Sequence, residues 1–424
     1  MRRRPFLGLL PATLAAPAAL RARAAVSAPA PGPATGPGPT PARGPAPAPA
    51  RTTATAPATA STSPPAAADN LALGVSHRTL AFPADHGSHP DTHVEWWYVT
   101  GWLRAGAQER ADQTPEFGFQ VTFFRTRTGL AAESASRFAA RQLVFAHVAL
   151  TDVSSGAPAG GALHDQRVAR QGFGIAATPG PKLPQAVRLR DWTLQRLAPA
   201  APDGAHDRLR IDVRAERFAL ALDLVTTQPL LLQGEAGWSQ KGPDPAEASH
   251  YYSEPQLAVR GRLERSGAPA QDVSGRAWLD HEWSDQYLAH GAVGWDWVGF
   301  NLVDGAALMA FRLRRADGSV VWAGGSYRSA VGALRNFAAG EVRFEPLRRW
   351  TSPRTGASYP VEWTLATPSG RWRVAALQDD QELDSRASTG AIYWEGLSAL
   401  RGDDGRALGW GYLELTGYAG QLRL

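Results

Sequence analysis

The stretch Asp280-His281-Glu282-Trp283 sets two carboxyls and an imidazole against a tryptophan, and His93-Val94-Glu95-Trp96-Trp97-Tyr98 repeats the combination much earlier in the chain. Acids stand beside Trp again at Trp295-Asp296-Trp297, Glu362-Trp363 and Trp394-Glu395. A carboxyl in an aromatic wall is desolvated, which raises its pKa and can keep it protonated as a general acid near neutral pH. Ring faces also stabilise a developing cation. Together these suit protonation of a carbon–carbon double bond or cleavage of a lipophilic substrate. The same residues allow a structural reading, in which each carboxylate pairs with an arginine and locks a barrel, Arg125 and Arg312 being placed to do so. The sequence leaves both open.

On the chemical reading, Glu95, Asp280, His281 and Glu282 move protons. Trp96, Trp97, Tyr98, Tyr251, Tyr252, Trp283, Trp295, Asp296 and Trp297 then line a ligand pocket. A histidine beside acids can be a base, an acid or a metal ligand. The spacing around His281 has neither the i, i+4 histidine pair of zincins nor a second nearby His on its face, so no metal and no cofactor is expected. Serine chemistry lacks its elbow, since Gly237-Trp238-Ser239-Gln240-Lys241-Gly242 has the wrong spacing. No P-loop or dinucleotide fingerprint occurs. With no cysteine, thiolate sites and disulfides are excluded.

These side chains must be held by strands. Read with period two, His93, Glu95, Trp97 and Val99 point to one side, and Val94, Trp96, Tyr98 and Trp102 to the other. By the same count Trp278, Asp280 and Glu282 oppose His281 and Trp283. After Leu71 the chain is a series of short apolar or aromatic runs, such as FGFQVTFFRTR, QLVFAHVALTD and GWDWVGFNLVDG, broken by Gly, Asp-Gly and Pro. This predicts an all-β fold of sandwich or barrel type. An internal echo divides it. Phe124-Arg125-Thr126-Arg127 and Phe311-Arg312-Leu313-Arg314 each end a strand that follows an aromatic-acid strand. The expectation is two antiparallel domains in tandem, residues 75–286 and 287–424.

The first residues read differently. MRRRPFLGLLPATLAAPAAL carries an arginine cluster, an apolar run and then small residues, the pattern of an export signal over 1–28, with Arg3-Arg4-Pro5-Phe6-Leu7 resembling a twin-arginine motif. Residues 29–70 are almost wholly Ala, Pro, Gly, Thr and Ser and read as a tether. Seven arginines precede residue 75 against one acid, Asp69, so the net charge of +5 belongs to the N-terminus and the body is near neutral. That argues against a nucleic-acid partner. The expected place is the periplasm or envelope, with membrane proximity through the N-terminus.

Several of these segments in order, HVEWWYVTGWL, FAHVALTD, GRAWLDHEWSDQ, GWDWVGFNLVDG, YWEG and GYLELTGY, resemble the AttH and carotenoid 1,2-hydratase family of two-domain lipocalin-like proteins over about residues 75–424. The resemblance implies two lipocalin-like barrels and a bulky hydrophobic small-molecule ligand. Family members include hydratases of carotenoid ends, proteins labelled as secreted hydrolases, and fungal relatives that guide cycloadditions. For the hydratases it implies acid-initiated addition of water to an isoprenoid double bond by a His and a Trp of an Asp-His-x-Trp stretch with a downstream Tyr and Asp. His281 and Trp283 match the first pair, whereas Ala307-Leu308-Met309-Ala310-Phe311 holds neither of the second. The exported AttH branch is therefore the nearer likeness. It implies a hydratase or hydrolase-like enzyme, a carrier or accessory protein of an ABC-type exporter, or a structural module.

Overall fold

The computed structural model describes residues 75–106, 114–129, 133–154, 161–180, 182, 185–197 and 206–421. The export signal and tether expected over 1–70 lie outside them. Among the described residues there is no α-helix, only a 3-10 turn at Ala84–His86 and two antiparallel sheets. Among these residues no helix is long and apolar enough to cross a membrane.

The first sheet holds β1 (Val94–Ala105), β2 (Phe117–Arg127), β3 (Gln142–Asp152), β4 (Leu163–Arg170), β5 (Ala176–Ala177) and β6 (Gln185–Leu189). It continues with β7 (Trp192–Arg196), β8 (Arg208–Arg214), β9 (Phe218–Val225), β10 (Leu231–Leu232), β11 (Trp238–Gln240), β12 (Ala248–Arg265) and β13 (Ala268–Ser284). Its order is β4-β3-β2-β1-β13-β12-β9-β8-β7-β6-β5, with β10 and β11 also on β12. The ends curl together, because β4 reaches the β6–β7 hairpin, where Arg167 covers the Trp192 ring at 3.9 Å and pairs with Asp191. The result is barrel-like, its interior filled by apolar residues such as Val99, Phe119, Val121, Ile211 and Leu222.

The second sheet holds β14 (Gly294–Leu302), β15 (Ala307–Arg314), β16 (Val320–Arg328), β17 (Leu334–Phe337) and β18 (Arg343–Thr351). Then come β19 (Ser358–Thr367), β20 (Gly370–Ala376), β21 (Glu382–Ser385), β22 (Ala391–Arg401) and β23 (Ala407–Leu415). They run β17-β16-β15-β14-β23-β22-β20-β19-β18, with β21 on β22. The chain passes from one sheet to the other between Ser284 and Gly294.

Burial follows the sequence pattern. In β8, RLRIDVR, only every second residue is buried, because the outer face meets water. In β1, VEWWYVTGWLRA, nearly every residue is buried, because one face fills the barrel and the other meets the second sheet. A third apolar cluster, including Tyr98, Trp102, Trp278, Met309, Leu397 and Trp410, occupies the space between the sheets. A polar clamp fixes their relative position. Gln256 donates from its backbone N–H to Asn301 Oδ1 at 2.8 Å and from Nε2 to the carbonyls of Leu302 and Ala306, both at 2.9 Å. Asn301 returns a bond to the Ala277 carbonyl at 3.0 Å.

Candidate functional site

The register builds the site twice. In the first sheet Tyr251, Glu282, Trp96 and Phe124 stand directly opposite one another across β12, β13, β1 and β2. In the second, Glu395, Glu414, Trp297 and Phe311 form the equivalent row across β22, β23, β14 and β15. Cross-strand partners share a face, and both rows face a cleft between the sheets with about 960 Å³ of empty space, part of it open to solvent. Tyr98, Asp280 and Trp295 line the same cleft.

The acids in this cleft differ in their surroundings. Asp280 accepts from Tyr251 Oη at 2.7 Å, Ser253 Oγ at 2.5 Å and Trp278 Nε1 at 2.6 Å. Burial nevertheless pushes it up to about 7, the three donors working the other way and the Glu282 charge adding to the rise. Glu282 is paired, with Lys241 Nζ at 2.9 Å and Ser249 Oγ at 2.5 Å from its Oε1. Among the described residues no cation pairs with Glu414. Burial lifts it to about 7, with the Asp280 and Glu282 charges acting in the same direction. Glu395 is 2% exposed, and neither of its oxygens has a hydrogen-bond partner. Burial first, then the charge of Glu414, raises it well above the ordinary carboxylate value. The Tyr98 hydroxyl approaches it without closing a hydrogen bond of good geometry. The cleft can thus hold neutral carboxylic acids at neutral pH against aromatic surface, which is what proton donation to an apolar molecule needs.

The other face of β1 and β13 looks into the first barrel, where Glu95, Trp97, Tyr252, His281 and Trp283 sit. Fully buried Glu95 takes Arg125 Nε on Oε2 at 2.9 Å, and His89 Nδ1 and His281 Nε2 on Oε1 at 2.8 and 2.9 Å. Burial alone would raise it, but the hydrogen bonds and charges of His281 and His89 hold it down at about 2. Burial lowers His281 to about 4 despite its bond to Glu95. Glu95 is thus an ionised partner of arginine, and His281 a neutral imidazole.

All but Asp296 of the residues singled out from sequence therefore fall into two groups. Trp96, Tyr98, Tyr251, Asp280, Glu282, Trp295 and Trp297 meet in the cleft, whereas Glu95, Trp97, Tyr252, His281 and Trp283 meet inside the barrel. His281 and Asp280 are neighbours in the chain but point to opposite faces of β13, so they cannot serve one substrate together. Asp296 turns into the second sheet, where Arg312 Nε at 2.6 Å, Arg314 Nε at 3.1 Å and Tyr418 Oη at 2.9 Å surround it. Sequence reasoning passed over Glu414 and His89. Glu414 sits in the alternating run Tyr412-Leu413-Glu414-Leu415, an acid on the face opposite two leucines, and that was the available signal.

A family model described as AttH-like matches residues 74–418. Among solved structures, a candidate AttH from Nitrosomonas europaea is 46% identical with a TM-score of 0.71, the match covering 81% of this chain and 98% of that one. The kievitone hydratase of Nectria haematococca is 13% identical with a TM-score of 0.56, covering 81% and 94%, a likeness of fold alone. No curated protein matches the sequence.

Proposed function

The chain belongs to the AttH-like family, and from that premise we propose that it binds a bulky apolar molecule in the cleft between its sheets and protonates it. Acid-catalysed addition of water to a carbon–carbon double bond is the reaction the cleft suits best. The observation that carries this is the set of buried acids, Asp280, Glu395 and Glu414, whose burial favours the neutral form beside Trp96, Trp295 and Trp297. Asp280 or Glu414 gives its proton to one alkene carbon. The cation left on the other carbon meets the tryptophan faces, water adds to it, and the proton lost by that water returns to the carboxylate. Glu95 and His281, on the barrel-facing side of β1 and β13, support those strands and do not touch substrate. A hydratase of the same fold, the kievitone enzyme, agrees with the reading, which rests on the cleft and not on that likeness.

The test begins with mass spectrometry of apolar molecules extracted from protein purified from its native cells. The recovered compound is then offered to wild type and Asp280→Asn in 18O-labelled water. A product carrying one labelled oxygen from wild type alone supports hydration. A compound returned unchanged by wild type leaves a carrier and ends the hydratase reading, and recovery of no compound removes both. Export belongs to the same proposal and is checked by the intact mass of the mature chain. An ABC-type exporter as partner would be sought by co-purification.

A further inference from the structure

Three groups able to hold a metal ion converge inside the first barrel. The ligand atoms of His89, Glu95 and His281 all lie within 4.8 Å of one another. One oxygen serves as the hub, since Glu95 Oε1 is 2.8 Å from His89 Nδ1 and 2.9 Å from His281 Nε2. The other, Oε2, is held by Arg125 Nε at 2.9 Å. Arginine thus occupies the oxygen that a monodentate carboxylate ligand leaves free.

Each imidazole is oriented from behind. His89 Nε2 lies 3.1 Å from Asp85 Oδ1, and Arg78 clamps that carboxylate at 2.8 and 2.7 Å. His281 Nδ1 lies 3.0 Å from the Tyr252 hydroxyl, which reaches His86 Nδ1 at 2.8 Å. This is how metal-ligating histidines are held, with the far nitrogen donating to a carboxylate or another oxygen so that the near one presents its lone pair. Proton counting allows the same state here. Tyr252 has one hydroxyl proton. If it goes to His86 Nδ1, the phenol oxygen accepts from His281 Nδ1–H, and Nε2 faces Glu95 with a bare lone pair. His89 keeps its Nε2 proton toward Asp85 and bares Nδ1 when the ion displaces the proton shared with Glu95. Two imidazole lone pairs and Glu95 Oε1, which also accepts the His89 backbone N–H at 3.0 Å, then gather within 4.8 Å of one another, a set that a cation satisfies.

We propose that His89, Glu95 and His281 form a binding site for one divalent transition-metal ion of the zinc class, with three protein ligands. Two imidazole nitrogens select such ions over magnesium and calcium, which prefer all-oxygen shells. Glu95 and Asp85 are balanced by Arg125 and Arg78, so affinity comes from the imidazoles more than from net charge. The ion enters past His89, whose side chain is 15% exposed and stacks on Trp283 at 3.6 Å. The site lies across β13 from the cleft, so its failure leaves the acid-catalysis proposal standing, and the reverse holds.

The experiment uses full-length, tag-free protein stripped with a chelator. Zinc retained after gel filtration is measured by elemental analysis, and cobalt is titrated while its visible absorption is followed. One equivalent of zinc should be retained in the presence of excess magnesium and calcium, with cobalt giving the absorption of a low-coordinate nitrogen and oxygen site. His89→Gln, in a partly exposed loop position and checked for wild-type circular dichroism, should weaken binding more than tenfold. Wild type that retains no zinc, or His89→Gln that binds as tightly as wild type, overturns the proposal.

Discussion

Replacing Asp280 by Asn tests whether the cleft holds a neutral acid. The carboxyl titrates at about 7 when folded against an ordinary value of 3.8. Below pH 4 it is protonated in both states. As pH rises from about 4 to 7 the unfolded chain releases a proton that the folded protein keeps, so stability falls, and above 7 the full loss is in place. From pH 5 upward about two units remain, worth about 3 kcal/mol at 1.36 kcal/mol each. For the compact unit Ala67–Leu424, an unfolding entropy of about 0.75 kcal/mol per kelvin converts this to about 4 °C. Asparagine removes the titration while fitting the site. Its Oδ1 can accept from Ser253 and Trp278, and its amide can face the Tyr251 oxygen. Glu414, which the Asp280 charge helps to raise, shifts in the same direction. Melting temperatures of both proteins at pH 5 and pH 8 are the assay, since effects of unrelated groups cancel between them. Wild type should lose about 4 °C more than the variant. Equal losses would mean that Asp280 is already ionised at pH 5, and proton donation from it would be abandoned.

Three other substitutions probe the frame. Glu95→Gln leaves the Arg125 charge buried without its partner and should cost about 3–5 kcal/mol in urea unfolding. Because Glu95 is held at about 2, its contribution is present above its ordinary value of 4.5 and is lost as pH falls toward 2, so acid unfolding of the variant should be shallower. Asp296→Asn should cost a similar amount through Arg312 and Arg314, and a wild-type urea midpoint for either variant would remove the lock it tests. Gly118→Ala would set a Cβ 2.7 Å from both Leu397 Cβ and the Tyr412 hydroxyl, and should cost about 1–3 kcal/mol by forcing the sheets apart. A thermal melt unchanged by that methyl would show that the two sheets are not pressed together at β2.

Strand identity and the split of each strand into two faces were legible because the side-chain period of two admits no compromise. Once Glu95 faces one way Trp96 must face the other, and the structure has them so. The pairing of Glu95 with Arg125 and of Asp296 with Arg312 was within reach for the same reason, since both arginines occupy the same step of the Phe-Arg-x-Arg echo. What the sequence withheld is which face looks where. Both sides of β1 are aromatic, and nothing in HVEWWYVTGWL tells the inside of a barrel from a seam between sheets. Hence the sequence sets His281 and Asp280 on opposite faces of one strand without telling that the Asp280 face is the one that meets the cleft. His89 was missed because it lies in an irregular loop, where no period tells the reader what it faces.

The repeat explains why acids remain available in the cleft. Each sheet has an inward acid locked by arginine and an outward tryptophan beside an outward glutamate, Trp96 with Glu282 and Trp297 with Glu414. If both copies were structural, both outward glutamates would be expected to have a cation. Only Glu282 does, through Lys241, which also lies 4.7 Å from the Tyr251 ring and 4.4 Å from the Phe311 ring. In the second copy the position of Tyr251 is taken by Glu395, so Glu414 faces another carboxyl where its counterpart faces a phenol. Two buried, directly opposed glutamates can coexist only if at least one keeps its proton, and their burial cost has no structural return. The departure from symmetry therefore falls on residues that would give a proton away, and it sets Glu395 and Glu414 on the second sheet's side of the cleft that Asp280 lines from the first.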